Sequence, residues 1–283
     1  MPVFGRQKGF EATLDDEFLI YLKDKIGDRL IVSFENIDLL LWGVRDSGSV
    51  RLLGLTLAMG IEKPEAVTKQ ELERLTNKAE NIMQVALSVS KSSDAAFFIV
   101  LYPLLGGSSF RVTDLANPLS LEQSFVVEED KMPSLVEGFF NTKLRSSGTA
   151  KQVNKSTSDW FHDWTRANLP TEYVKANIDG LVLNDEGKPT ILLETKRSFF
   201  KPSVWEPYQA DSRNYYLQGL LAKSTNLSFW TVYHEKGVSV KDVSDIALFI
   251  ILDVALDKKD WINYRRFDTS AAEIVKMLGE TCR

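Results

Sequence analysis

The strongest constraint on the fold comes from residues 176–197, whose sequence predicts a β-hairpin. A largely apolar run at residues 178–183 is followed by Asn-Asp-Glu-Gly-Lys-Pro at residues 184–189, a composition typical of turns. A second apolar run follows at residues 191–193. Both runs are apolar enough for central strands, so the hairpin is expected to lie inside the sheet of an α/β protein.

Three charged residues lie on this hairpin. Asp179 is in the first strand, and Glu194 and Lys196 close the second strand. Side chains alternate across a strand, so Glu194 and Lys196 point to one face while Thr195 points away. Two carboxylates bind a hard divalent cation such as Mg²⁺, and a nearby lysine orients or deprotonates a water. The pattern indicates metal-assisted hydrolysis of a phosphodiester; the alternative is an ordinary surface hairpin with a neighbouring ion pair.

Asp179 followed by Glu194-Thr195-Lys196 resembles the signature of the PD-(D/E)XK nuclease superfamily, and the resemblance spans residues 133–235. No proline precedes Asp179; the Ile-Asp-Gly sequence there is similar to the variant of RecB-like members. The resemblance implies a restriction-endonuclease-like αβββαβ core and a metal-dependent nuclease acting on nucleic acid, with DNA favoured over RNA. It also implies that Asp179 and Glu194 bind Mg²⁺ or Mn²⁺ and that Lys196 assists the attacking water.

The same resemblance implies a further metal ligand upstream of the hairpin. Members of the superfamily often contribute an acid or a histidine from the helix before the first strand. Glu137 is similar to that position, and His162 is the other candidate. For His162, a solvent-facing histidine on an aromatic helix is the structural alternative.

Two more candidates follow the Glu-X-Lys strand. RecB-like nucleases carry a glutamine and then a tyrosine on the next helix, which is expected here over residues 205–221. Gln209 and Tyr215, with Tyr216 as an alternative to Tyr215, resemble that pair at a longer spacing. An amphipathic helix that covers the sheet explains the tyrosines equally well.

Composition limits the class of protein. The 283 residues are 44% hydrophobic and 26% charged, no apolar run is long enough to span a membrane, and the N-terminus lacks the apolar segment of a secretory signal. The net charge of −5 argues against indiscriminate binding of polyanions. The single cysteine, Cys282, excludes an internal disulfide framework and a multi-cysteine zinc site. It favours a reducing, intracellular compartment, either cytoplasmic or nuclear.

Length and element order predict two domains. A chain of 283 residues exceeds the usual single core. The first half has the pattern αβββαβ, with a long helix expected over residues 67–89, and the second half repeats that order. We predict an N-terminal α/β domain at residues 1–125 and a nuclease-like domain at residues 126–283, with residues 109–132 as the linker region.

The hairpins of the two halves can also be aligned. The alignment pairs Asp38 with Asp179, Gly54 with Glu194 and Thr56 with Lys196. We interpret the first half as a degenerate, inactive copy that packs against the active half, binds nucleic acid or mediates dimerisation. Chance similarity between two apolar hairpins is the alternative.

Other functions have less support. The sequence contains no P-loop, no dinucleotide-binding glycine motif and no Gly-X-Ser-X-Gly motif. A Ser-His-Asp hydrolase would depend on His162 or His234, and His234 is expected to be a residue at the end of a strand. The alternative function is a catalytically inactive module of nuclease fold that binds nucleic acid or a protein partner, as a homodimer or in a larger complex.

Overall fold

A computed structural model describes residues 16–32, 36–46, 49–143, 160–237, 245–256 and 261–281. The helices are α1 (Glu17–Ile26), α2 (Lys69–Ser93), α3 (Met132–Phe139), α4 (Trp160–Asn168), α5 (Ser212–Thr225) and α6 (Ala271–Thr281). The strands are β1 (Leu30–Val32), β2 (Ile37–Asp46), β3 (Ser49–Ile61), β4 (Ala96–Pro103), β5 (Ser109–Val112), β6 (Phe125–Glu128), β7 (Tyr173–Asn177), β8 (Gly180–Leu183), β9 (Pro189–Ser198), β10 (Ser228–Glu235), β11 (Ile246–Val254) and β12 (Ile262–Thr269). Among the described residues, none of the helices combines the length and apolarity needed to cross a lipid bilayer. Cys282 lies outside the described residues.

The strands form two six-stranded sheets that repeat one topology. The C-terminal sheet has the order β1-β8-β9-β10-β11-β12, and the N-terminal sheet has the order β7-β2-β3-β4-β5-β6. In each sheet two antiparallel pairings precede a parallel pair, and two antiparallel pairings follow it. A helix connects the two parallel strands in both sheets: α5 joins β9 to β10, and α2 joins β3 to β4. The predicted α/β class is confirmed.

The two halves of the chain exchange their first strands. β1 pairs with β8 in the C-terminal sheet, where Leu30 lies opposite Val182. β7 pairs with β2 in the N-terminal sheet, where Asn177 lies opposite Leu40. The boundary predicted after residue 125 falls inside β6. Each sheet therefore contains residues from both of the sequence ranges 1–125 and 126–283.

Helices pack on both faces of both sheets. α2 and α5 lie between the sheets and contact each other, and their apolar residues join strands of both sheets in one central core. α3 and α4 cover the outer face of the N-terminal sheet. α1 and α6 cover the outer face of the C-terminal sheet. The two sheets therefore share one central core.

The two central helices begin differently from each other. α2 starts with a capping box, in which Thr68 and Glu71 bond reciprocally through side chain and backbone, and its length is close to the prediction. The prediction for α5 was wrong at its start, since the helix begins at Ser212 and not near residue 205. Pro207 lacks an N–H and disfavours helical geometry at the residue before it, which keeps the preceding segment out of the helix.

Candidate active site

The candidate site lies at the C-terminal end of β9, where the chain crosses from one sheet to the other. Asp179 occupies the crossing: the residue before it donates its N–H to Leu39 O at 2.8 Å in the N-terminal sheet, and the residue after it, Gly180, pairs with Leu193 in the C-terminal sheet. One step further along the same register, Asp179 lies opposite Glu194. The hairpin therefore brings two carboxyl groups to one end of the sheet.

The buried Glu194 and the partly buried Lys196 form an ion pair. Lys196 Nζ lies 2.7 Å from Glu194 Oε1, and Glu194 is only 6% exposed. Lys196 Nζ also lies 3.8 Å from Asp211 Oδ2 and 5.9 Å from the centre of the Tyr215 ring. Burial is the largest single influence and lowers the pKa of Lys196, but the charge and hydrogen bond of Glu194, together with the charges of Tyr215 and Asp179, raise the pKa above its ordinary value. Lys196 is therefore a fixed ammonium group.

Asp179 lies beside this pair, with its carboxyl held by Thr195. Its Oδ2 accepts hydrogen bonds from Thr195 N at 2.7 Å and from Thr195 Oγ1 at 3.2 Å. Burial raises the pKa of Asp179 well above its ordinary value, and the charge of Glu194 raises it further, against the Thr195 N–H and Lys196, which lower it. Two carboxyl groups that repel each other in a largely desolvated site favour either a retained proton or a bound cation.

Gln218 of α5 is a member of this cluster that the sequence analysis did not identify. It is 2% exposed, and its Nε2 donates to Glu194 Oε2 at 2.7 Å and to Asn177 O at 3.0 Å. Its Oε1 is a buried acceptor that lacks a hydrogen-bond partner within the described residues. Gln218 follows Tyr215 by three positions, a spacing that puts both on one helix face and was available as a sequence signal.

The structure separates Gln209 from Tyr215, the two candidates on the segment after β9. Tyr215 is buried beneath the ammonium of Lys196, and burial raises the pKa of its phenol, so it is neutral. Gln209 is exposed in a short 3-10 turn (Gln209–Asp211) ahead of α5, and in the described part of the chain it makes no hydrogen bond to the cluster. The glutamine of α5 that reaches the cluster is Gln218, through its bond to Glu194, because α5 begins after Gln209.

The two candidate upstream ligands also lie at different distances from the cluster. His162 Nε2 is 2.9 Å from Asn177 Oδ1, and Asn177 O accepts from Gln218, so His162 reaches Glu194 through two intervening residues. Glu137 lies on α3, which packs on the outer face of the N-terminal sheet, and its charge acts on Tyr173 at the opposite end of β7 from Asn177.

The donor set fits a magnesium ion better than a closed, fully protein-ligated metal site. No group of three or more His, Cys, Asp or Glu side chains is arranged to hold a metal within the described ranges. The carboxylates of Asp179 and Glu194 are the available ligands, and Mg²⁺ characteristically uses one or two carboxylates and keeps several waters. The orphaned Gln218 Oε1 is consistent with an ordered water in the cluster.

A second buried polar pair lies on the other face of the C-terminal sheet. Asp16 is the N-cap of α1, accepting from Phe18 N and Leu19 N, and both its oxygens lie 3.2 Å from His234 Nε2. Burial is the largest single influence and raises the pKa of Asp16, but the hydrogen bond and charge of His234, together with the Leu19 N–H and the charge of Arg197, lower the pKa below its ordinary value. The charge of Asp16 also contributes to the raised pKa of Asp179. His234 lies near the end of its strand, as the penultimate residue of β10, and it is buried and paired with Asp16.

Neither a protein-family model nor a curated protein matches this chain. The interpretation of the site therefore depends on its geometry and chemistry.

Proposed function

We propose that the chain is a metal-dependent nuclease of the PD-(D/E)XK type, which hydrolyses phosphodiester bonds and uses DNA as its main substrate. The observation that carries the proposal is the convergence of Asp179, Glu194 and Lys196 at the C-terminal end of β9, with Lys196 Nζ 2.7 Å from Glu194. A partly buried lysine beside a buried glutamate and an aspartate whose pKa is raised is typical of a catalytic site.

The topology of the C-terminal sheet supports the same proposal. Along the sheet, β1 lies next to the hairpin β8–β9, and α1 leads into β1. The hairpin is followed by α5 and by β10, which is parallel to β9. This series matches an αβββαβ restriction-endonuclease-like core. Its first helix and strand come from the N-terminal part of the chain, because β1 occupies the place that β7 would take without strand exchange.

Each residue of the cluster has a role in the proposed reaction. Asp179 and Glu194 would hold Mg²⁺ or Mn²⁺, which supplies Lewis-acid polarisation of the phosphate and of a water. Lys196 remains protonated beside Glu194, so it would orient the attacking water and offset charge on the phosphate. The proton of that water would pass to solvent, and the leaving oxygen would take a proton from solvent. Gln218 fixes the rotamer of Glu194 through the bond to Oε2 and is itself held by Asn177 O.

The test is a cleavage assay with matched variants. The protein is incubated with plasmid, linear duplex, single-stranded DNA and RNA in Mg²⁺, Mn²⁺ or EDTA. We expect cleavage that EDTA abolishes and that Asp179→Asn and Lys196→Met each reduce by at least about 100-fold. Phe125→Leu, an exposed position on β6, is the control for preparation and contaminating nuclease. Equal cleavage by wild type and both site variants would contradict the proposal.

One observation favours the alternative, a catalytically inactive module of the same fold. Both oxygens of Glu194 are already engaged, one by Lys196 and the other by Gln218, and among the described residues no third metal-binding side chain is arranged with Asp179 and Glu194. Such a module would bind nucleic acid or a protein partner, in a homodimer or a larger complex. Binding of oligonucleotide with no cleavage under any metal would support it.

A further inference from the structure

An exposed aromatic segment follows the strand that carries Lys196. The segment at residues 199–208, here called the aromatic loop, presents Phe199 at 79% exposure and Phe200 at 60% exposure. Val204 and Tyr208 of the same loop are also exposed. Large apolar side chains clustered on a surface mark an interaction site more often than a chance arrangement.

The aromatic loop is held in place by hydrogen bonds and stacking. Tyr233 OH donates to Phe200 O at 2.6 Å and lies 2.7 Å from Ser198 Oγ. The ring of Trp205 stacks on Tyr233, with centroids 4.3 Å apart and an angle of 6° between planes. Arg266 donates to carbonyl oxygens at both Pro202 and Trp205. The exposed phenylalanines are thus presented by a preorganised backbone, which lowers the entropy cost of binding.

The position of the loop connects it to the candidate active site. Phe199 follows Lys196 by three residues, roughly 10 Å along an extended strand. Lys236 Nζ lies 5.5 Å from the centre of the Phe199 ring, and Lys201 is exposed beside Phe200. Ring faces flanked by lysines suit a ligand that is both flat and negatively charged.

Acidic residues limit the contribution of charge. Glu206 lies within the loop and is exposed, and Glu235 precedes Lys236 at the end of β10. Because lysines and glutamates nearly balance here, stacking rather than phosphate neutralisation would supply most of the affinity. A nucleobase offers a stacking face when it is unpaired, whereas a duplex hides it.

We propose that the aromatic loop binds unpaired nucleobases, and that Phe199 and Phe200 stack against them. The substrate class is therefore a single strand, or the single-stranded end or flap of a duplex, whose phosphates extend towards Lys196. This last step rests on the proposed nuclease function; the stacking itself does not.

The test measures binding without catalysis. Fluorescence anisotropy follows a labelled 12-nucleotide oligothymidine in EDTA, with a duplex of equal length for comparison. Phe199→Leu with Phe200→Leu keeps apolar side chains and removes the rings, and we expect it to weaken single-strand binding by at least tenfold. Phe199→Trp with Phe200→Trp is expected to retain binding, and Phe125→Leu on β6 is expected to have no effect. We expect a loss of less than tenfold between 50 and 200 mM salt, because few phosphates are neutralised.

Several results would overturn the stacking role. These are unchanged affinity in the double leucine variant, tighter binding of the duplex than of the single strand, a salt dependence of a thousandfold, or binding to lipid vesicles in place of the oligonucleotide. The proposed nuclease function is tested separately. Single-strand binding that depends on the rings, with no cleavage under any metal, would support stacking by the aromatic loop and contradict the nuclease function. Cleavage activity together with unchanged binding by the leucine variant would contradict stacking by the aromatic loop and leave the nuclease function supported.

Discussion

The two sheets share a topology and differ in the side chains that they direct into the central core. In the N-terminal sheet, Leu39 pairs with Leu57. The first residue of β4, Ala96, pairs with Gly54, and Leu57 lies three residues after Gly54. In the C-terminal sheet, the first residue of β10, Ser228, pairs with Ile191, and Glu194 lies three residues after Ile191. Leu39, Leu57 and Met59 are therefore the counterparts of Asp179, Glu194 and Lys196.

The central helices extend the correspondence. α2 and α5 both end at a left-handed cap, Asp94 with φ 53° and Asn226 with φ 57°. Counting back eight residues from each cap gives Ala86 and Gln218, and counting back eleven gives Met83 and Tyr215. The members of the N-terminal set, namely Leu39, Leu57, Met59, Met83 and Ala86, are all buried in the central core.

The comparison shows that this topology does not require the polar cluster. A buried ion pair costs desolvation energy that apolar residues of similar size avoid, and the N-terminal sheet uses the apolar solution. The C-terminal sheet carries the more costly solution at the same positions. Polar groups retained at an energetic cost are expected at functional sites, which is the physical reason for placing the proposed activity in the C-terminal sheet.

Replacing the ion pair of the C-terminal sheet with the apolar residues of the N-terminal sheet should have the largest effect. Glu194→Leu with Lys196→Met gives the C-terminal sheet the residues of Leu57 and Met59. We expect cleavage to fall by at least about 1,000-fold, while the free energy of unfolding is unchanged or rises by about 1–4 kcal/mol. Cleavage rates and urea denaturation measure the two effects. Activity within tenfold of wild type would break the comparison.

The Asp16–His234 pair distinguishes the outer face of the C-terminal sheet from that of the N-terminal sheet. Asp16→Ala removes a helix cap and the partner of a buried histidine, so we expect a loss of about 2–4 kcal/mol at pH 7. Thr68→Ala removes the exposed cap of α2 and should cost about 1 kcal/mol.

The pH dependence of that loss has a definite sign. Because the pKa of Asp16 is lowered on folding, its stabilisation is present above the unfolded pKa of 3.8 and disappears as the pH falls through the folded pKa. Urea denaturation at pH 7 and pH 3 should show a smaller gap between Asp16→Ala and wild type at pH 3. An equal gap at both pH values would argue that the pair contributes packing alone.

Metal affinity should depend on pH in the C-terminal sheet. The raised pKa of Asp179 means that a cation displaces a proton, so the affinity for Mn²⁺ should rise with pH by up to tenfold per unit until that pKa is passed. Calorimetric titrations between pH 5 and 8 measure this slope. Asp179→Asn should bind the ion weakly with no slope, and a pH-independent wild type would count against a carboxyl pair as the ligand.

Removing the charge of Asp179 should have the smallest effect, a gain in stability. Its folded pKa is raised above the unfolded 3.8, so the wild type loses stability as the pH rises through the folded pKa, whereas Asp179→Asn does not. We expect a gain of about 1 kcal/mol at pH 8, or roughly 2–4 °C in Tm, and no gain at pH 3. Saturating Mg²⁺ should reduce the gain, because it stabilises only the wild type. Leu39→Met at the counterpart position should show no pH-dependent change.

The sequence alignment of the two hairpins had the right elements and the wrong register. It pairs Gly54 with Glu194, but a side chain at Gly54 would meet Phe140 on the outer face of the N-terminal sheet, whereas Glu194 faces α5 in the central core. The alignment also pairs Asp38 with Asp179, whereas the next residue, Leu39, is the counterpart of Asp179 in the structure. Apolar runs predict that two strands pair, yet a shift by an odd number of residues exchanges the faces, and such a shift is invisible in the composition of the runs.

Other errors have a similar cause. Residues 109–132 were expected to form a linker, but they contain β5 and β6, whose short strands have too little periodicity to be recognised. Asp16 and Asp211 were not identified, because their contacts to His234 and Lys196 depend on packing between distant segments.

The sequence by itself determined the hairpin, the alternation that puts Glu194 and Lys196 on one face, and the α/β class, because these follow from local periodicity and turn chemistry. Tertiary structure alone decided that β1 and β7 change sheets, that Gln218 rather than Gln209 holds Glu194, and that Leu39, Leu57 and Met59 take the equivalent places in the other sheet. Those features depend on register and on contacts between distant segments, and the free-energy differences that select them come from packing and desolvation, which no local pattern contains.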